Sequence, residues 1–173
     1  NKKNKNLFFE KLLLTIFEDS CENTYIIKNG KKTRNKSKLI NVVNNQLKKG
    51  FYACGYFAYE YNQKTNTSSK YKAVFNIYKN FSTYYKQPSD KLNKKIELKK
   101  KTSDTNFISN VKKAKNYISE GDIYQINLSR EFILNGILNP HKLFLDYYKM
   151  QPVEYAGFYD FHDHALISGS MEL

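Results

Sequence analysis

Two histidines one residue apart, His162 and His164, place two imidazoles on the same side of an extended segment, the spacing of a metal-ligating strand. No carboxylate or cysteine cluster completes a shell around them, so the pair reads as part of a surface turn, and His141 stands apart from both. Gln125, Asn127 and Ser129 alternate along one stretch. Their amide and hydroxyl groups either point into a binding site or satisfy backbone groups at a sheet edge. Tyr56, Tyr59 and Tyr61 could stack on bases, as in single-strand binders, but in the setting GYFAYEY they read as sheet and core aromatics. Cys21 and Cys54 are too few for a disulfide framework and lack metal-type spacing, which makes them ordinary residues of a reducing compartment. Glu172, taken alone, is a solvated carboxylate at a strand end. The same group becomes a general acid near neutral pH wherever burial or a neighbouring charge raises its pKa.

These residues need elements to hold them. Leu7 to Phe17 is an apolar run whose spacing suits neither a clean helix nor a clean strand. Thr24 to Lys28 reads as a strand ended by Asn29-Gly30, a turn pair that takes positive φ. Leu39, Val43 and Leu47 predict a helix over about Lys36 to Lys49, with Gly50 as its left-handed cap. Phe51 to Glu60 predicts a central strand in which Gly55 admits a close neighbour, Asn62 to Ser69 a loop, and Lys72 to Phe81 another strand. Gln87 to Lys101 carries Pro88 and a dense lysine run without periodicity, and predicts a boundary. Phe107, Val111, Ala114 and Ile118 then predict a helix over Thr105 to Glu120, capped by Ser103 or Asp104 and stopped at Gly121. Ile123 to Leu134 alternates and predicts a strand. Asn139-Pro140 opens a short helix, His141 to Lys149, and Tyr155 to Phe161 with Ala165 to Ser168 predict a hairpin turning at His162-Asp163. The division that follows is 1–86 as an N-terminal region, 87–103 as a lysine-rich linker, and 104–173 as the beginning of a second domain.

With 173 residues, 40% of them hydrophobic and 16% aromatic, the chain is long enough to bury a core. No apolar stretch approaches the length of a membrane span and no leader pattern opens the chain, so the expectation is a cytoplasmic protein without membrane contact. A formal net charge of +13 invites nucleic acid, but the lysines are spread through every segment rather than gathered in a patch, and nucleic-acid binding is not expected. A positive field would equally steer an anionic substrate.

Three motifs in fixed order carry a resemblance. ISEGDIYQINLS (118–129) resembles the helix end and strand that open the chorismate-binding domain of anthranilate, aminodeoxychorismate, isochorismate and salicylate synthases. PVEYAGFYDF (152–161) resembles the family's next turn and strand, and ALISGSMEL (165–173) the strand that leads into a Ser-Pro-Glu motif. Upstream, Phe17-Glu-Asp-Ser20, the helix near Leu39 to Leu47 and residues 50–60 resemble the N-terminal region of aminodeoxychorismate (para-aminobenzoate) synthase large subunits, component I. The sequence departs from the pattern at Met171, where the motif has proline, and at Val153-Glu154, where anthranilate synthases carry a serine-proline pair.

The resemblance implies an α+β fold, an N-terminal mixed segment followed by the start of an antiparallel-sheet sandwich with outer helices. It implies a reaction of chorismate with ammonia to give 4-amino-4-deoxychorismate for p-aminobenzoate and folate synthesis, with Glu172 as the general acid/base. It also implies Mg²⁺ held by glutamates, a lysine acting at C2, and a glutamine amidotransferase subunit that supplies the ammonia. The lysine and the Mg²⁺ ligands fall downstream of Glu172 in the family pattern, so residues 1–173 are expected to be the N-terminal portion of the enzyme without its downstream catalytic half. Anthranilate synthase component I is the rival of the same family. A non-catalytic basic binding module is the rival from another class.

Overall fold

A computed structural model of the chain describes residues 7–62, 69–83, 97–100, 102–136 and 139–170. It is α+β, and every described strand pair is antiparallel. The chain separates into two compact units, Asn1–Ser89 with Gln151–Leu173, and Asp90–Met150. Compactness therefore groups the residues after 150 with the N-terminal strands, whereas the division at 87–103 follows motif order and composition.

In the first unit, β1 (Phe8–Asp19), β2 (Thr24–Lys28), β3 (Lys31–Asn35), β4 (Tyr52–Phe57) and β5 (Tyr71–Ser82) form one sheet in the order β3-β2-β1-β5-β4. The apolar run of uncertain type is β1. Its inner residues Thr15, Ile16, Phe17 and Glu18 are all buried, since both faces of the sheet are covered there, and such a strand shows no alternation to read. Asn29 (φ 49°) and Gly30 (φ 74°) close the β2–β3 hairpin in the left-handed region.

On one face lies α1 (Leu39–Leu47), whose Leu39, Val42 and Val43 pack with Ile16, Ala73 and Ile77. Adjacent strand residues point to opposite faces, so Phe17 and Val74 form a second cluster on the other side with Phe161. Phe161 comes from the hairpin of two further strands, Tyr155–Asp160 and Ala165–Ser170, paired from Tyr155↔Ser170 to Asp160↔Ala165. The segment expected as a central strand is instead β4, which pairs only with β5 among the described residues. It reads as central because both of its faces are used: Ala53 packs toward α1, and Tyr56 toward the hairpin.

The second unit holds β6 (Glu97–Lys100), α2 (Asp104–Ser119), β7 (Phe132–Asn135) and α3 (Pro140–Met150); numbering on, the hairpin strands are β8 and β9. Ser103 caps α2, its Oγ accepting from the Asn106 N–H at 3.1 Å, and Gly121 (φ 81°) ends it. The Asn139 side chain accepts from the Lys142 N–H at 3.0 Å and starts α3. Two expectations are corrected here. Glu97–Lys100, read as linker, is a strand paired with β7. Ile123 to Leu134, read as a strand, is irregular up to Glu131 and extended only from Phe132. Alternation makes a strand only where a ladder partner and a covered face exist. Here β6 supplies a partner for four residues, and Tyr124 is 95% exposed. The loop expected at Asn62 to Ser69 falls mostly on residues 63–68, and the linker's 87–96 and 101 likewise lie outside the described residues.

Candidate active site

The β8–β9 hairpin runs toward Glu172, with β9 ending at Ser170, two positions earlier in the chain. Glu172 itself, like Met171, lies outside the described residues. What the structure shows is how the strand before it is held.

A two-stranded ribbon is marginal alone, so its place depends on what it packs against. Phe161 supplies the apolar contact at the turn, stacking beside His164 (4.9 Å between centroids) and edge-on to Tyr56 (5.5 Å). The Phe161 N–H donates to the His164 carbonyl at 2.9 Å and closes the turn. Beneath it, Asn76 of β5 is only 2% exposed and donates from Nδ2 to the Asp160 carbonyl at 2.9 Å. Its Oδ1 accepts from the Thr15 hydroxyl at 2.6 Å, so β1, β5 and β8 share one buried polar chain.

At the turn, Asp163 accepts at Oδ2 from the Lys70 ammonium, in a short ion pair, and from the Tyr71 hydroxyl at 2.8 Å. Its Oδ1 lies 2.7 Å from His164 Nδ1. The Lys70 ammonium, then His164, hold the Asp163 carboxyl well below the usual carboxylate range. A carboxylate only accepts, so Nδ1 of His164 carries the hydrogen. In the neutral ring, Nε2 is then the acceptor for the Tyr56 hydroxyl, 2.9 Å away. Burial, reinforced by the Asp163 charge, pushes the Tyr56 phenol up and keeps it a donor.

The sequence-predicted residues divide. His164 is half-buried in this network while its neighbour His162 is exposed, so the two do not converge. His141 sits on α3 in the other unit. Gln125, Asn127 and Ser129 are exposed on the irregular stretch before β7. Tyr56 and Tyr61 pack as core aromatics, but Tyr59, expected with them, is 93% exposed. Cys21 and Cys54 are free thiols, and burial pushes Cys54 up to about 11. Among the described residues no group of three His, Cys, Asp or Glu side chains could hold a metal ion. These residues do not fit Mg²⁺.

A second charged group went unread in the sequence. Glu18 and Lys72 are both buried, and the Lys72 ammonium pairs with Glu22 at 2.6 Å. Burial, then the Glu22 charge, raises the Glu18 carboxyl above its ordinary value while Lys72 opposes them. Nothing local marks Glu18: it occupies an ordinary position in a strand, and only the covering of both sheet faces buries it.

Against known proteins, a family model described as chorismate binding enzyme matches residues 59–173. Anthranilate synthase component 1 of Archaeoglobus fulgidus is 38% identical over 66 residues, which cover 38% of this chain and 16% of that protein. The chain thus aligns with about a sixth of the curated relative's length. No solved structure matches. No described helix is long and apolar enough to cross a membrane.

Proposed function

This chain belongs to the chorismate-binding enzyme family, and we propose that it is the N-terminal part of component I of an aminodeoxychorismate synthase. The longer protein would act in the cytoplasm, replacing the C4 hydroxyl of chorismate with ammonia to give 4-amino-4-deoxychorismate and water, on the route to p-aminobenzoate and folate. The carrying observation is the family match over 59–173, which spans the three ordered motifs. The N-terminal residues 17–60, with their resemblance to aminodeoxychorismate synthase large subunits, support the finer reading.

A hydroxide leaves poorly, so the reaction needs a proton delivered at the departing oxygen. Glu172 is the residue proposed to hold that proton, and β9 is the strand that precedes it in the chain. Chorismate is a dicarboxylate, and the chain's net charge of +13 favours its approach. Mg²⁺, which neutralises a substrate carboxylate in the proposed enzyme, would take its ligands from outside residues 1–173. A glutamine amidotransferase subunit is the proposed source of ammonia. The segments 1–86, 87–103 and 104–173 are proposed as N-terminal region, linker and start of the catalytic domain.

The similarity to an anthranilate synthase component 1 favours a second reading, with anthranilate as product. The test is the full-length protein incubated with chorismate, Mg²⁺ and ammonia, with products separated by chromatography. Aminodeoxychorismate is the expected product. Anthranilate would move the chain to the sister activity, and no turnover would leave a non-catalytic binding role.

A further inference from the structure

We propose that His164 is a positioning residue: through Asp163 on one side and Tyr56 on the other, it locks the angle at which the β8–β9 hairpin docks on the N-terminal sheet. By doing so it aims the strand that leads to Glu172. The proposal rests on the functional reading above for its catalytic consequence, but not for its structural one.

Side-chain alternation and the turn already oppose a slip of one residue, but they do not set the angle at which the hairpin lies on the sheet. Phe161 against Phe17 and Val74 is an apolar contact, which is non-directional. Directional bonds fix the angle, and the structure places several around the turn. Asn76 holds the Asp160 carbonyl, Lys70 and Tyr71 hold Asp163, and Tyr56 holds His164. The imidazole is bonded to both the turn's own carboxylate and β4, and its ring stacks beside Tyr71 (5.7 Å between centroids) and Phe161 (4.9 Å). Tyr56 and His164 are 108 positions apart, so this bond ties β4 to the hairpin.

Leverage makes the lock matter. From Ala165 to Ser170, β9 runs about 20 Å at the usual rise of roughly 3.3 Å per residue. A tilt of only about 3° at the turn displaces the far end by about 1 Å, a misplacement that can cost about a hundredfold in rate. Binding of chorismate by residues elsewhere would be little changed, so the loss falls on kcat.

The test uses the full-length protein with Tyr56→Phe, His164→Ala and the double variant, read by steady-state kinetics and by amide hydrogen exchange. Tyr56→Phe keeps the ring contacts and removes only the hydroxyl, so it stays informative if His164→Ala folds poorly. The expected result is faster exchange over 165–170 with β1 and β5 still protected, and kcat lowered about tenfold or more at a KM for chorismate within about twofold. The double variant is expected to be no worse than the poorer single one, and His164→Gln, which can still reach Tyr56, to recover part of kcat. Unchanged exchange over 165–170, or unchanged kcat where exchange has risen, overturns the proposal. If the parent protein does not turn over chorismate, the functional reading fails, while the exchange experiment still decides whether His164 locks the hairpin.

Discussion

Gly55 stands where β4 crosses β5 so closely that an added Cβ would lie 2.0 Å from the Val74 carbonyl oxygen. The two nearest atoms, the Val74 oxygen and the Phe75 Cα at 2.7 Å, are β5 backbone that cannot swing aside, so Gly55→Ala is expected to cost about 3 kcal/mol or more, measured by urea unfolding. The two cysteines should separate chemically. With its thiol pushed up to about 11 by burial, Cys54 is about one part in a thousand thiolate at pH 8. Iodoacetamide should therefore label the exposed Cys21 and leave Cys54 largely unmodified, as peptide mass spectrometry would show. Asp163 links charge to stability. Its carboxyl is held below its ordinary value of 3.8 by Lys70 and His164, so the unfolded chain takes up the proton more readily. Its contribution is complete above 3.8 and is lost as pH falls through the lowered folded value. Asp163→Asn should flatten the acid limb of the stability profile below pH 3.8, and an unchanged slope would refute the assignment. Of these residues, Gly55 was legible because a glycine inside an aromatic strand marks a close approach. Asp163 was not, since its partners Lys70 and Tyr71 lie at the start of β5, more than ninety positions away.

Elements with local signals were readable and those without were not. The helix α2 has its apolar spacing, its Ser103 cap and its Gly121 stop, all within nineteen consecutive residues of chain. Ser103→Ala is expected to weaken the helix by about 1 kcal/mol, seen as faster amide exchange in its first turn. The β2–β3 hairpin was fixed by Asn29-Gly30 in the same local way. By contrast, the type of β1 was unreadable because α1 and the hairpin cover both faces, which erases period-two alternation. The alternation of residues 123–131 misled for the opposite reason: it has the pattern of a half-buried strand but no covered face to enforce it.

At the scale of the molecule, the first unit joins residues from both ends of the chain into helix, sheet and hairpin layers. If Glu172 is the acid for the departing oxygen, Glu172→Gln in the full-length protein should lower kcat by about 10²- to 10⁴-fold. The variant should keep its far-ultraviolet circular dichroism, and wild-type rates from it would remove Glu172 from the mechanism. The sequence by itself determined what neighbours along the chain dictate: turns, caps, helix periodicity and the ordered motifs that mark the family. Those signals rest on backbone sterics and short-range spacing, which need no fold to act. Only the tertiary structure decided that β4 pairs with β5 alone among the described residues, that Glu18 and Lys72 are buried, and that His164 meets Tyr56. Burial and strand order come from surfaces brought together across the chain, and no local pattern records which surface will cover which.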